Sequence, residues 1–175
     1  MASALGLEDA VARLIKMGAE IETNSGHQRR RALHLAAERR YFNIEKMLLE
    51  AGADIEGNSK YGRTALHAAA YNNDAALTKY LLDAGANIQA RGKHEESPLH
   101  VCAMGGFLET ARVLLEANAD IEAKAEGATP VQIAYYEDQT EMVRFLLKAG
   151  AKTDFRKDWR LREDFPECFE GEPSD

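Results

Sequence analysis

Cysteine is scarce in this chain of 175 residues: Cys102 and Cys168 are the only two, and they lie far apart. That excludes a disulfide framework and fits a reducing compartment. No run approaches the ~20 apolar residues that a membrane span requires. The amino-terminal stretch MASALGLEDAVARLIKMGAEIE carries Glu8, Asp9 and Arg13 where a secretory signal needs an apolar core. An intracellular protein, cytoplasmic or nuclear, is therefore expected. Basic surplus is lacking as well: the net charge is -7, so there is no overall positive field to displace counterions from nucleic acid. Neither nucleic acid nor membrane is an expected partner. A nucleophile elbow, a phosphate-binding glycine loop and a paired-carboxylate arrangement are all missing. What remains, 45% hydrophobic and 29% charged residues, suits one compact domain or a short array and is neither disordered nor fibrous by composition.

The chain repeats itself. RALHLAA at Arg31, TALHAAA at Thr64, SPLHVCA at Ser97 and TPVQIAY at Thr129 start 33, 33 and 32 residues apart. Each is followed by a second apolar stretch, ending MLLEAGADI, YLLDAGANI, VLLEANADI or FLLKAGAKT. Four matches in one register mark a repeat array.

Each unit reads as a helix pair. Thr64, Ser97 and Thr129 are candidate N-caps, and Pro98 and Pro130 occupy the first helical position, where the missing N–H has no intrahelical acceptor to lose. A second helix follows a turn and carries Leu77, Tyr80, Leu81 and Leu82. Gly52, Gly85 and Gly150 stand at its end, where a left-handed residue is wanted. Ala36, Ala69 and Ala103 let helices of adjacent units approach closely. One pair cannot bury its own apolar face, so stacking must supply the core.

These motifs resemble the ankyrin repeat, with its capped TPLHxAA helix, outer helix ending LLxxGAD and projecting loop, from roughly Leu7 to Phe155. The resemblance implies an all-α fold, an ankyrin-repeat solenoid of stacked helix-turn-helix units with projecting loops. The units are a half repeat at 1–26, in which only an outer helix is matched, full repeats at 27–59, 60–92, 93–125 and 126–158, and an acidic tail at 159–175. A truncated cap and a piece of a longer protein both fit the missing first helix. Several residues depart from the motif. Arg31 replaces the capping Thr, Arg29 and Glu95 the loop glycine, Asn118 the helix-terminal glycine, and Gln132 the histidine. The loop before Arg31 is one residue longer than the next, and that before Thr129 one shorter. Tyr135 replaces a small residue, so the last stacking interface is expected to be looser or rearranged. The tail, with Pro166 and Pro173, is expected to be irregular or disordered, with Trp159, Phe165 and Phe169 available to pack back.

His34, His67 and His100 share one motif position, one repeat apart, and do not converge on a metal. The resemblance implies that they tie a helix start to the adjoining loop. Cys102 sits at an alanine position as a small buried group, and His100 with Cys102 lacks the ligand set of a zinc site. Family asparagine hydroxylation targets a position occupied here by Glu22, Glu56, Gln89 and Glu122. No catalytic residue, metal or cofactor is expected.

A surface must then do the work. In the ankyrin register the positions after the small pair face the concave groove: Tyr71, Met104 and Tyr136 first, Arg39 and Asn72 second, with Tyr61 and His94 at loop tips. Residues 1–93 carry 13 Lys and Arg against 11 Asp and Glu, whereas residues 94–175 carry 9 against 18. Arg29, Arg30, Arg31, Arg39 and Arg40 concentrate positive charge at one end. Arg31 also puts a cation at a helix's positive pole and removes a cap, a loss of order 1 kcal/mol that invites a compensating role. The expectation is a monomeric protein-protein interaction module whose partner includes an acidic segment. The alternative is a regulatory or substrate-targeting domain of a larger enzyme or signalling protein. An engineered scaffold is disfavoured because loops and framework vary more than consensus design leaves them.

Leu48, Leu81 and Leu114 share an outer-helix register. Truncation of Leu81 to Ala is predicted to cost about 2 to 5 kcal/mol in urea denaturation. A change of a few tenths would displace the register.

Overall fold

The computed structural model describes residues 2–23, 31–152 and 159–168. A single helix, α1 (Ala2–Lys16), precedes four helix pairs: α2 (Ala32–Arg39) with α3 (Phe42–Glu50), α4 (Ala65–Tyr71) with α5 (Ala75–Asp83), α6 (Pro98–Gly105) with α7 (Leu108–Glu116), and α8 (Pro130–Tyr136) with α9 (Thr140–Lys148). A short helix, α10 (Trp159–Asp164), and a 3-10 turn (Pro166–Cys168) follow. The described residues contain no strand, only an isolated bridge between Ala125 and Ala128. The fold is the expected all-α stack.

Paired helices of seven to nine residues are too short to persist in water alone. They are held by stacking. The inner helices α2, α4, α6 and α8 pack in succession, while α5 packs on α7 and α7 on α9 in the outer layer. Small residues make this possible: Ala36, Ala37, Ala69, Ala70, Cys102, Ala103 and Ala134 are all buried on the inner helices. Leu48, Leu81 and Leu114 fill the space beneath. The apolar interior forms two clusters joined at Leu82, which packs against both.

The turns explain the remaining sequence variation. Gly52, Gly85 and Gly150 end outer helices with φ of 88°, 93° and 96°, and Asn118 holds the same conformation at 66°. Asparagine tolerates the left-handed region better than most residues with a Cβ. In two projecting loops the backbone closes from Ser59 N–H to the Arg63 carbonyl and from Gly92 N–H to that of Glu96. The one-residue deletion shortens the third loop to a two-residue turn, Glu126-Gly127, with both φ positive and both bridge hydrogen bonds between Ala125 and Ala128. That is the turn which best matches strand twist.

The described part of the tail, residues 159–168, is helical in place of the irregular or disordered segment expected, and Phe165 packs back as its apolar character allows. Phe165 is 6% exposed in the core of the last unit, and the Arg144 guanidinium lies 5.5 Å from its ring centroid while its Nε pairs with Glu167 at 3.0 Å. The Tyr135 hydroxyl donates to Asp164 at 2.6 Å. This large residue is accommodated because its neighbour is the tail. Phe169 and the Trp159 side chain lie outside the described residues.

Glu95 stands at φ 59° where the neighbouring loops have Gly62 at 69° and Gly127 at 90°. Its side chain is exposed. Glu95→Gly should therefore raise stability by about 0.5 to 1 kcal/mol, the left-handed penalty less the added unfolded-state entropy. Equilibrium urea denaturation measures it, and a destabilised variant would refute local strain.

Candidate functional site

The inner helices are tied to the loops by a recurring hydrogen-bond pattern. The Thr64 backbone N–H donates to His67 Nδ1 at 3.2 Å, and the Ser97 N–H to His100 Nδ1 at 3.1 Å, closing reciprocal capping boxes. A backbone N–H can only donate, so each Nδ1 is unprotonated and each Nε2–H is the donor. That donor reaches the next loop: His67 to the Glu96 carbonyl at 3.0 Å, and His100 to those of Ala123 and Ala128 at 3.1 and 3.3 Å. His34 Nε2 lies 2.7 Å from the Arg63 carbonyl. In the last unit Gln132 Oε1 takes the Thr129 N–H at 3.0 Å, so an amide supplies the same acceptor. Burial holds all three histidines below their ordinary value, more than the carbonyl contacts restore.

Other polar residues reinforce the stack. Glu22, Glu56 and Glu122 accept the backbone N–H of Asp54, Asn87 and Lys152 in the following unit, at 3.0, 2.7 and 2.6 Å. Arg63 pairs with the buried Glu96 at 3.0 Å. Arg31, which makes no side-chain cap, instead bridges Glu22 at 2.7 Å and Asp54 at 2.9 Å. Gly57 completes that arrangement, because a Cβ there would fall 2.5 Å from Arg31 Nη1. Ala90 and Ala123 occupy the corresponding positions in the next two units. The loss of the cap is thus offset inside the molecule.

The exposed surface is different in kind. Tyr71, Met104 and Tyr136 are 64%, 42% and 72% exposed at successive inner-helix ends. Tyr61 on its loop and Tyr71 on α4 line one cleft of about 410 Å3, floored by His34, His67 and Ala68. Asn72 also borders it, but its Nδ2 donates to the carbonyls of Ala37 at 2.7 Å and Glu38 at 3.2 Å, so its amide serves the stack. His94 is exposed and bonded through Nδ1 to Glu126 at 2.8 Å. Arg39 is exposed but borders a groove with α1 and α3 rather than the Tyr71 cleft. Arg29 and Arg30 lie outside the described residues. Arg40 is 3.7 Å from Asp74, so, like Arg31, it has an internal partner and the expected basic end is reduced.

Among the described residues no three His, Cys, Asp or Glu side chains are grouped to hold a metal. Burial pushes the Cys102 thiol well above the thiolate range. Sequence reasoning missed Glu45, fully buried on α3 with no hydrogen-bond partner for its carboxyl among the described residues. Burial, with Asp74 adding to it, pushes this group up to about 8, so it is mostly neutral at pH 7. Its register mates Thr78, Ala111 and Val143 marked an uncharged position, the one signal that could have exposed it.

Helix pairs with projecting loops, stacked through small residues and histidine ties, define a repeat solenoid that presents a surface. The sequence matches the family model for ankyrin repeats in three copies, over residues 1–92 and 90–157. The chain belongs to the ankyrin repeat family, whose members are generally protein-protein interaction modules and typically non-catalytic. No curated protein matches it. No described helix is long and apolar enough to cross a membrane.

The buried groups give opposite pH signs. The histidines sit below 6.5 when folded, so their contribution is present above that pH and lost as pH falls through the folded values. Glu45 is raised from 4.5 to about 8, so its contribution is full below 4.5 and lost as pH rises through 8. His67→Gln should flatten the acid limb of the stability profile, and Glu45→Gln the limb from pH 5 to 8. Unfolding free energies across this range test both. A difference from wild type that stays constant with pH would refute the corresponding assignment.

Proposed function

We propose that the chain binds a segment of a partner protein along the concave face formed by the inner helices and loops. The supporting observation is the repeat-spaced exposure of Tyr71, Met104 and Tyr136, with the cleft between Tyr61 and Tyr71 at one end. Tyrosine offers large contact area with few torsions to order, and methionine adapts to a partner's shape. The mechanism is presentation: a stack already fixed by its own hydrogen bonds loses little further entropy when a ligand docks. An acidic part of the ligand would lie towards Arg29 and Arg30. Arg39 has a different setting, and Asn72 is already engaged by the stack. The same surface would serve a targeting domain of a larger protein, which the parental reading frame would reveal.

A peptide library displayed on phage and selected on the protein provides the test. For selected peptides, Tyr71→Ala should speed dissociation, with a loss of about 2 kcal/mol or more. Charge reversal at Arg30 should mainly slow association and weaken its salt dependence. Lys46→Ala and Lys79→Ala, on the outer helices, should change neither rate. Effects confined to the outer-helix variants would move the site to the convex face, and unaffected kinetics in the Tyr71 and Arg30 variants would refute the concave groove.

A further inference from the structure

The two ends of the stack are finished differently. At the carboxy-terminal end the 3-10 turn packs on α9 and Phe165 is buried there. At the other end, a groove of about 360 Å3 runs beside α2, between α1 and α3. Leu7, Val11, Leu35, Ala36, Tyr41 and Ile44 line it, and Arg39 stands at its rim. Leu7 and Tyr41 are 39% and 37% exposed. Ala32 is half-buried, whereas its register mates Ala65, Pro98 and Pro130 are buried.

The repeat itself indicates what shape fits. Inner helix α4 packs on α2, α6 on α4 and α8 on α6, while α1 packs on α3 in the outer layer. The groove lies where the inner layer continues. Among the described residues no inner helix fills it, and residues 2–7 extend α1 to 15 residues, against nine in each other outer helix. Arg39 supplies the polarity. Its register mate Asn72 donates to the Ala37 and Glu38 carbonyls at the end of α2, groups that a helix terminus leaves without intrahelical partners. Arg39 makes no hydrogen bond or ion pair among the described residues. It has a guanidinium, with more donors and a positive charge, for the negative pole of a helix in the same relation to α2.

We propose that this groove is a second docking surface, which takes one α-helix of a partner protein laid beside α2 with its carboxy-terminal carbonyls at Arg39. The helix presents alanines and one larger apolar residue to Leu35, Ala36 and Val11, as the chain's own inner helices present theirs to one another. A second copy is the poorer occupant: at the end it would present, the tail is already anchored, with Phe165 buried beside α9 and Asp164 bonded to Tyr135 of α8 at 2.6 Å. This site is independent of the concave groove.

The probe is a lactam-stapled helical peptide with the sequence TALHAAAYN, taken from the chain's own second inner helix, titrated into the 15N-labelled full chain. Saturable shifts are expected at the amides of Val11, Ala32, Leu35 and Ile44. Arg39→Glu should weaken binding roughly tenfold, Arg39→Asn should retain most of it, and Tyr71→Ala should leave it unchanged. Both Arg39 variants keep the fold if their remaining amide spectra match wild type. The proposal is overturned by the absence of saturable shifts at millimolar peptide, by shifts confined to the Tyr71 and Met104 face, or by indifference to Arg39→Glu. Concentration-dependent shifts of the groove residues without peptide, with a dimer in sedimentation, would assign the groove to a second copy and overturn the partner helix.

Discussion

The close approach of inner helices through small side chains is the constraint on which everything else depends. Ala36, Ala69, Cys102 and Ala134 are all buried, because each inner helix lies against the next. A larger residue at these positions would separate the units, and helices of seven to nine residues have too little surface to persist unsupported. Tyr135, the one bulky residue of the small pairs, occurs in the last unit and reaches the tail. The exception follows the same rule.

Close stacking also settles where the polar groups go. With backbone from adjacent units brought together, each loop needs partners, and side chains supply most of them towards the following unit. Histidine Nε2 reaches the next loop's carbonyls, and Glu22, Glu56 and Glu122 reach the next unit's N–H groups. Asn72 works backwards, onto the preceding helix end. Residues that resemble ligand or catalytic candidates by type are therefore largely occupied in holding backbone. The surface proposed for recognition is drawn from the remainder: exposed Tyr71, Met104 and Tyr136, and Arg39 beside α1 and α3. In that proposal, rigidity and recognition are divided between different positions of the same repeat.

The internal compensation around Arg31 shows how one substitution spreads through its surroundings. A cation at a helix start is unfavourable alone. Here two carboxylates from successive turns, Glu22 and Asp54, surround it, and Gly57 leaves space for the guanidinium. The buried carboxyl of Glu45 has no comparable support among the described residues, and it responds by remaining largely protonated. A charge can enter the stack with partners or as a neutral group.

The sequence by itself determined the architecture, because periodicity is a local property repeated. Spacings of 33, 33 and 32, alanines at fixed positions and glycines after the outer helices were enough for the helix pairs, the buried leucines and the exposure of Tyr71, Met104 and Tyr136. Tertiary structure decided what depends on residues distant in the chain. Arg31 and Asn72 looked available for a partner, and only their contacts with Asp54 and the α2 carbonyls, 23 and 35 residues away, show them engaged within the stack. The tail looked irregular because its few apolar residues have no period. Its described part, residues 159–168, is anchored through Phe165, whose burial depends on a surface that α9 creates. Arg39 likewise acquired its setting from α1 and α3. A repeat fixes what neighbours in register share, whereas the ends and exceptions are fixed by whichever surface the folded stack brings against them.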